Sequence, residues 1–151
     1  MSKRADRLQP AADQAKQRSE DAVLKLAEQQ QRLAKAERQL MELRGYRQEY
    51  SNQISANPPS AGHLTATALM NRQQFVERID RAIEQQTVEI ERQRRLLDQV
   101  RGLWRDAHAR EAALDNVIDR YREQERKAEE RREQNDVDER MQHRRPARGR
   151  E

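Results

Sequence analysis

The chain has 151 residues, 38% of them charged, 34% hydrophobic and only 3% aromatic, with 31 Lys and Arg against 27 Asp and Glu for a formal net charge of +4. So little apolar and aromatic side chain argues against the thick core of an ordinary globular enzyme, and abundant Gln, Arg, Glu, Ala and Leu is the composition of a coiled coil. There is no cysteine, hence no disulfide and no Cys-based metal site, which fits a reducing compartment; no apolar run is long enough to span a bilayer, and the N-terminus lacks a signal-peptide core.

Met1 to Leu8 is expected to fray. Pro10 suits the first turn of a helix, where its missing N–H is not needed. From about residue 10 to 56 the apolar residues repeat every seven positions. Leu26, Leu33, Leu40 and Ile54 form one row, with Arg47 as its polar exception. Ala15, Ala22, Ala36, Leu43 and Tyr50 form the other, with Gln29 as its exception. Two such rows are the a and d positions of a heptad, and only a helix places them on one face.

Asn57-Pro58-Pro59-Ser60-Ala61-Gly62 then breaks the helix, because proline cannot continue it and biases the preceding residue towards an extended backbone. The turn is expected over 57–64. Thr65 is a candidate N-cap for the next helix, and Leu64 and Leu69 have the spacing of a hydrophobic staple.

The second helix, expected over about residues 65–141, carries the longest pattern in the chain. Leu69, Val76, Ile83, Ile90, Leu97, Trp104 and Ile118 recur every seven residues, interrupted by Glu111. Ile79, Val100, Ala107, Leu114 and Tyr121 lie three positions later, with polar Gln86 and Gln93 in the gap. A continuous helix of roughly 70 residues would be about 105 Å long. It cannot be a globular core and must lie against another helix.

A short break between two heptad helices predicts an all-α fold: an antiparallel two-helix coiled-coil hairpin with a polar C-terminal overhang. Folding about the break pairs Ile54 with Leu69, Leu40 with Ile83, Leu33 with Ile90 and Leu26 with Leu97. Trp104 then faces the small residues Ser19 and Ala22, and is expected to be largely buried. The first helix runs out near the level of Tyr121. Beyond it, Arg122 to Met141 is almost wholly Arg, Glu, Gln and Asp and would continue as an unpartnered helix, with Glu123–Lys127 attracting and Glu125–Glu129 repelling. Residues 142–151, rich in arginine, read as a disordered basic tail.

Catalysis needs groups gathered in a pocket that excludes water, and a two-helix hairpin has none. His63, His108 and His143 are far apart in sequence and in the inferred register. They read as solvated surface histidines rather than metal ligands. No phosphate-binding glycine loop and no nucleophile elbow is present. The expectation is therefore no catalytic, cofactor or metal site. Arg92, Arg94 and Arg95 cluster, but acidic residues interleave with most arginines and stacking aromatics are lacking, so nucleic-acid binding is not expected of the helices.

The residues near the turn are more informative. Tyr50 and Ile79 belong to the seam. Tyr46 and Phe75 occupy g positions on its edge, where a two-stranded seam stays partly wet. They are either extra cover for the seam or a docking patch for another protein.

The stretches Ala36-Glu37-Arg38-Gln39-Leu40, Tyr46-Arg47-Gln48-Glu49-Tyr50, Gln73-Gln74-Phe75-Val76 and Ala82-Ile83-Glu84-Gln85 together resemble the FliJ family, the small coiled-coil proteins of the bacterial flagellar type III export apparatus. Trp104-Arg105 and Glu133-Gln134 with Asp138-Glu139 resemble it too. The similarity runs from about Ala15 to Met141, with Gln86 standing where a His can occur and Asn135 where a Lys is frequent. The Arg-rich end has no match in it.

The resemblance implies an antiparallel coiled coil similar to the stalk of rotary ATPases. It implies that the terminal end meets the export ATPase FliI, that the turn end meets the export gate FlhA, and that export chaperones are further partners. Carried over by position, the gate-facing residues are Gln39, Leu43, Tyr46, Tyr50, Phe75, Ile79, Ala82 and Gln86. The implied location is cytoplasmic, peripheral at the membrane through those partners. The rival reading is a coiled-coil scaffold, or a nucleic-acid-associated protein acting through the basic tail.

Overall fold

A helix with two apolar heptad rows has one dry face, and a second such helix is the simplest cover for it. The structure, a computed structural model, describes residues 3–56 and 66–144. All of them are helical: α1 spans Lys3–Ala56 and α2 spans Ala66–Arg144. The two pack against each other as a helical hairpin. Contacts divide the chain into two compact units, Ala22–Trp104, and Met1–Asp21 with Arg105–Glu151. Each pairs a stretch of α1 with a stretch of α2.

In Ala22–Trp104 the buried apolar residues are Ala36, Ile79, Ile90 and Leu97. Leu26, Leu33, Leu40, Leu43, Val76 and Ile83 are half-buried, as expected of rows that only one neighbouring helix can cover. The polar exceptions in the heptad prove to be cross-helix contacts. Gln29 Nε2 donates to Gln93 Oε1 at 2.6 Å and to the Gln93 carbonyl at 3.2 Å, and both residues are buried. Gln86 Nε2 donates to the Ala36 carbonyl at 2.9 Å, an approach that the small Ala36 side chain permits. Arg47 Nε reaches Asp80 Oδ1 at 2.5 Å. Gln29–Gln93 and Ala36–Gln86 lie one residue from the antiparallel register inferred from the sequence, and Arg47–Asp80 lies four residues, about one turn, from it.

One expectation fails in this unit. Leu69, assigned to the seam, is 39% exposed. A seam of two helices has water on each flank, so a large side chain can keep an edge in solvent. Trp104, by contrast, keeps only a minor part of its surface in solvent, and its indole Nε1 is buried, as expected.

In the other unit Ala5, Ala12 and Ile118 form a buried cluster, with Leu8, Leu114 and Tyr121 packed on it. Ala15 and Ser19 are also buried. The Arg4 guanidinium lies 5.7 Å from the centre of the Tyr121 ring. The sequence-based start of α1 near Pro10 is therefore corrected to Lys3. Ala5 and Ala12 continue the row of Leu26 back through Ser19, and Leu8 continues the row of Ala15. Pro10 falls between the rows, at an exposed position. The Asp6 carbonyl that loses its i+4 donor belongs to an exposed residue, so water can replace the bond.

Residues 126–144 of α2 are exposed throughout. They are helical nonetheless, with local ion pairs along the surface: Arg126 binds Glu123 Oε1 and Glu130 Oε1, each at 2.6 Å. The Arg126 hydrogen bond, then its charge, holds the Glu123 carboxyl below the usual range. The helix runs to Arg144, a little past its expected end. The turn over 57–64 with His63, the Thr65 cap, the Leu64 staple and residues 145–151 of the basic tail lie outside the described residues. Among the described residues, neither helix is long and apolar enough to cross a membrane.

Candidate partner-binding surface

The g positions of a heptad border the d row, so a two-helix pair presents a flank built from both. In Ala22–Trp104 this d/g flank carries Leu43, Tyr50, Ile79 and Gln86 at d and Gln39, Tyr46, Phe75 and Ala82 at g. Ile79 is buried, Leu43, Tyr50, Ala82 and Gln86 are half-buried, and Gln39 is exposed. Tyr46 is 58% and Phe75 46% exposed. A side chain on this edge meets the partner helix on one side only, which is why the two rings stay wet.

The structure joins these residues in two groups. The Tyr50 and Phe75 rings stack across the helices with centroids 4.7 Å apart and planes tilted by 49°. Tyr46, Glu49, Tyr50, Gln53, Phe75 and Ile79 line one shallow groove of about 230 Å³. That is below the range of small-molecule sites, about 300–1,000 Å³; it suits one or two side chains of a protein partner. In the second group Gln86 donates to Gln39 Oε1 at 3.2 Å as well as to the Ala36 carbonyl. Glu49 and Gln53 were absent from the sequence-based set. Their spacing from Tyr46, three and seven residues along one helix, was the signal that could have found them.

The other flank differs. There Arg47 pairs with Asp80 and Arg94 lies 3.6 Å from Glu37. All four are substantially exposed, so these pairs contribute little stability; they set charged groups along an edge where Val23 is also 46% exposed. On the d/g side of α2, at the g position one heptad beyond Ala82, Glu89 takes Arg92 on both carboxylate oxygens at 2.7 and 3.0 Å, and Gln93 Nε2 donates to the same carboxylate. The Arg92 hydrogen bond first, and Gln93 second, pull the Glu89 carboxyl down to about 2. Among the described residues no group of His, Asp or Glu is gathered as a metal site.

The flagellar FliJ protein family model matches residues 3–150, nearly the whole chain. The chain belongs to the FliJ family. Its match takes in the Arg-rich C-terminal end, which the resemblance noted from the sequence had left out. The flagellar FliJ protein of Escherichia coli K12 is 31% identical over 127 residues, 84% of this chain and 85% of the relative. That of Salmonella typhi is 28% identical over 132 residues, 87% of this chain and 88% of the relative. No solved structure matches the chain. FliJ membership implies a role in the flagellar export apparatus and partners within it, and FliJ proteins are structural export components rather than known enzymes.

Proposed function

We propose that this chain is a non-enzymatic coupling element of the flagellar type III export apparatus, joining the export ATPase FliI to the membrane gate FlhA and assisting export of flagellar substrates, with export chaperones as further partners. Its location would be the cytoplasmic face of the membrane, held there through partners. The observation that carries the reading is the exposed aromatic d/g flank: Tyr46 and Phe75 remain wet beside Tyr50 and Ile79, on the edge opposite the Arg47–Asp80 and Glu37–Arg94 ion pairs. Gln39, Leu43, Tyr46, Tyr50, Phe75, Ile79, Ala82 and Gln86 would form the gate-facing surface. The polar helix from Arg122 onward, with the basic tail at 142–151, would meet the ATPase.

A few buried aromatics usually dominate the energy of a protein interface. The double change Tyr46→Ala, Phe75→Ala should therefore keep helicity by circular dichroism and keep binding to the ATPase. It should weaken binding to the gate by at least about tenfold, as two anchor truncations would. Unchanged gate affinity in the folded variant removes this flank from the mechanism.

A further inference from the structure

The d/g flank of Ala22–Trp104 lies along the groove between two helices, and its rows repeat every seven residues. From Gln39 to Gln53 it covers about 14 residues of α1, or about 21 Å. A third helix fits such a surface, because its own i, i+3, i+4, i+7 stripe matches the repeat. The edges add a charge requirement. On α1 the row bordering the flank carries Glu42 and Glu49, one heptad apart and exposed, and Glu49 also lines the aromatic groove. The corresponding row on α2 carries Asn71, Arg78 and Gln85. Glu42 and Glu49 form no ion pair among the described residues.

We propose that this flank takes an amphipathic α-helix of about four turns, whose apolar stripe covers Tyr46, Tyr50, Phe75 and Ile79 and whose edge over α1 carries lysine or arginine to meet Glu42 and Glu49. The proposal rests on the reading of this flank as the gate-facing surface and specifies the chemistry of the segment that binds there. An extended peptide has no sheet edge to join here, so its backbone groups would stay unpaired with the protein.

The test uses the full chain and two labelled synthetic peptides of about 14 residues with one apolar stripe, bordered by lysine in one and by glutamate in the other. Anisotropy titrations at 0.1 M salt, where charges beyond about 10 Å are screened, report the local edge rather than the net charge. The lysine-edged peptide should bind at least about tenfold tighter and gain helicity on binding. Glu42→Gln, Glu49→Gln should erase that preference, and Tyr46→Ala, Phe75→Ala should abolish binding of both peptides. Equal affinities, binding without helicity, or a preference that survives the glutamine changes overturns the proposal. So does a dimer of this chain that disappears with the Tyr46 and Phe75 changes, since the occupant is then a second copy. A parallel titration of purified gate protein separates the two readings. Gate binding that needs Tyr46 and Phe75 but ignores the glutamine changes rejects the basic edge and keeps the gate. Gate binding indifferent to the aromatics, with the peptide preference intact, rejects the gate and keeps the helix groove.

Discussion

Gln29 and Gln93 occupy seam positions where leucine would bury more apolar surface. Their 2.6 Å side-chain bond, with the second bond to the Gln93 carbonyl, satisfies polar groups that would otherwise be stranded in a dry layer. Removing one partner breaks the 2.6 Å bond in a buried layer, although Gln93 keeps its bond to Glu89 and Gln29 keeps the residue-93 carbonyl; the cost is at most about 1–3 kcal/mol, whereas replacing both by apolar groups is near neutral or stabilising. Gln29→Leu and Gln93→Leu should each lower the midpoint of urea unfolding, and the double change should recover it or exceed the parent. A polar pair at one seam position also holds register in coiled coils. The double variant should therefore show a broadened distance between spin labels at positions 40 and 83, where the parent should show a single short one. Additive losses in the double variant would show that the two glutamines act independently.

At the level of elements, α1 is the helix that composition describes poorly. Its first turns contain Pro10, which removes a backbone hydrogen bond and crowds the preceding turn, a cost of about 3 kcal/mol in a helix interior. The helix passes through it because Ala5, Leu8 and Ala12 are held by Ile118, Leu114 and Tyr121. Small side chains let the backbones approach, and Ile118 fills the space between them. Pro10→Ala should raise the stability of this end, by up to about 3 kcal/mol, read as a higher unfolding midpoint and slower amide exchange over residues 5–12. A lower midpoint would mean that Pro10 itself is needed to seat Ala5. The heptad from Leu69 to Tyr121 made α2 legible from residue types alone. The start of α1 was not, because alanine carries almost no hydrophobic signal and a proline normally marks a boundary.

For the molecule as a whole, the proposed gate-facing flank lies in Ala22–Trp104 and the proposed ATPase-facing helix lies beyond Tyr121, so the proposal makes the two contacts separable. A chain ending at Tyr121 keeps every member of the Ala5, Ala12 and Ile118 cluster and the whole d/g flank. It should melt close to the parent, bind the gate normally and lose ATPase binding, measured by pull-down with each purified partner. Full ATPase binding by the shortened chain would place that contact on the paired helices instead.

The sequence by itself determined the all-helical class, the two-helix pairing, the antiparallel register and the family. Each depends on the period of apolar residues or on the order of residues along the chain, and both survive without coordinates. Tertiary structure alone decided how wet each seam residue is. Burial on a two-helix pair depends on which side of the contact line a side chain falls, so Leu69 came out more exposed than its heptad position suggested. It also decided what the polar seam residues do. Gln29, Arg47, Gln86 and Gln93 read as interruptions in one dimension and become cross-helix bonds once their partners, far off in sequence, are brought alongside. The difference between the two flanks has the same origin: Arg47–Asp80 and Glu37–Arg94 mark one edge and Tyr50–Phe75 marks the other, and each pair exists only because the two helices meet.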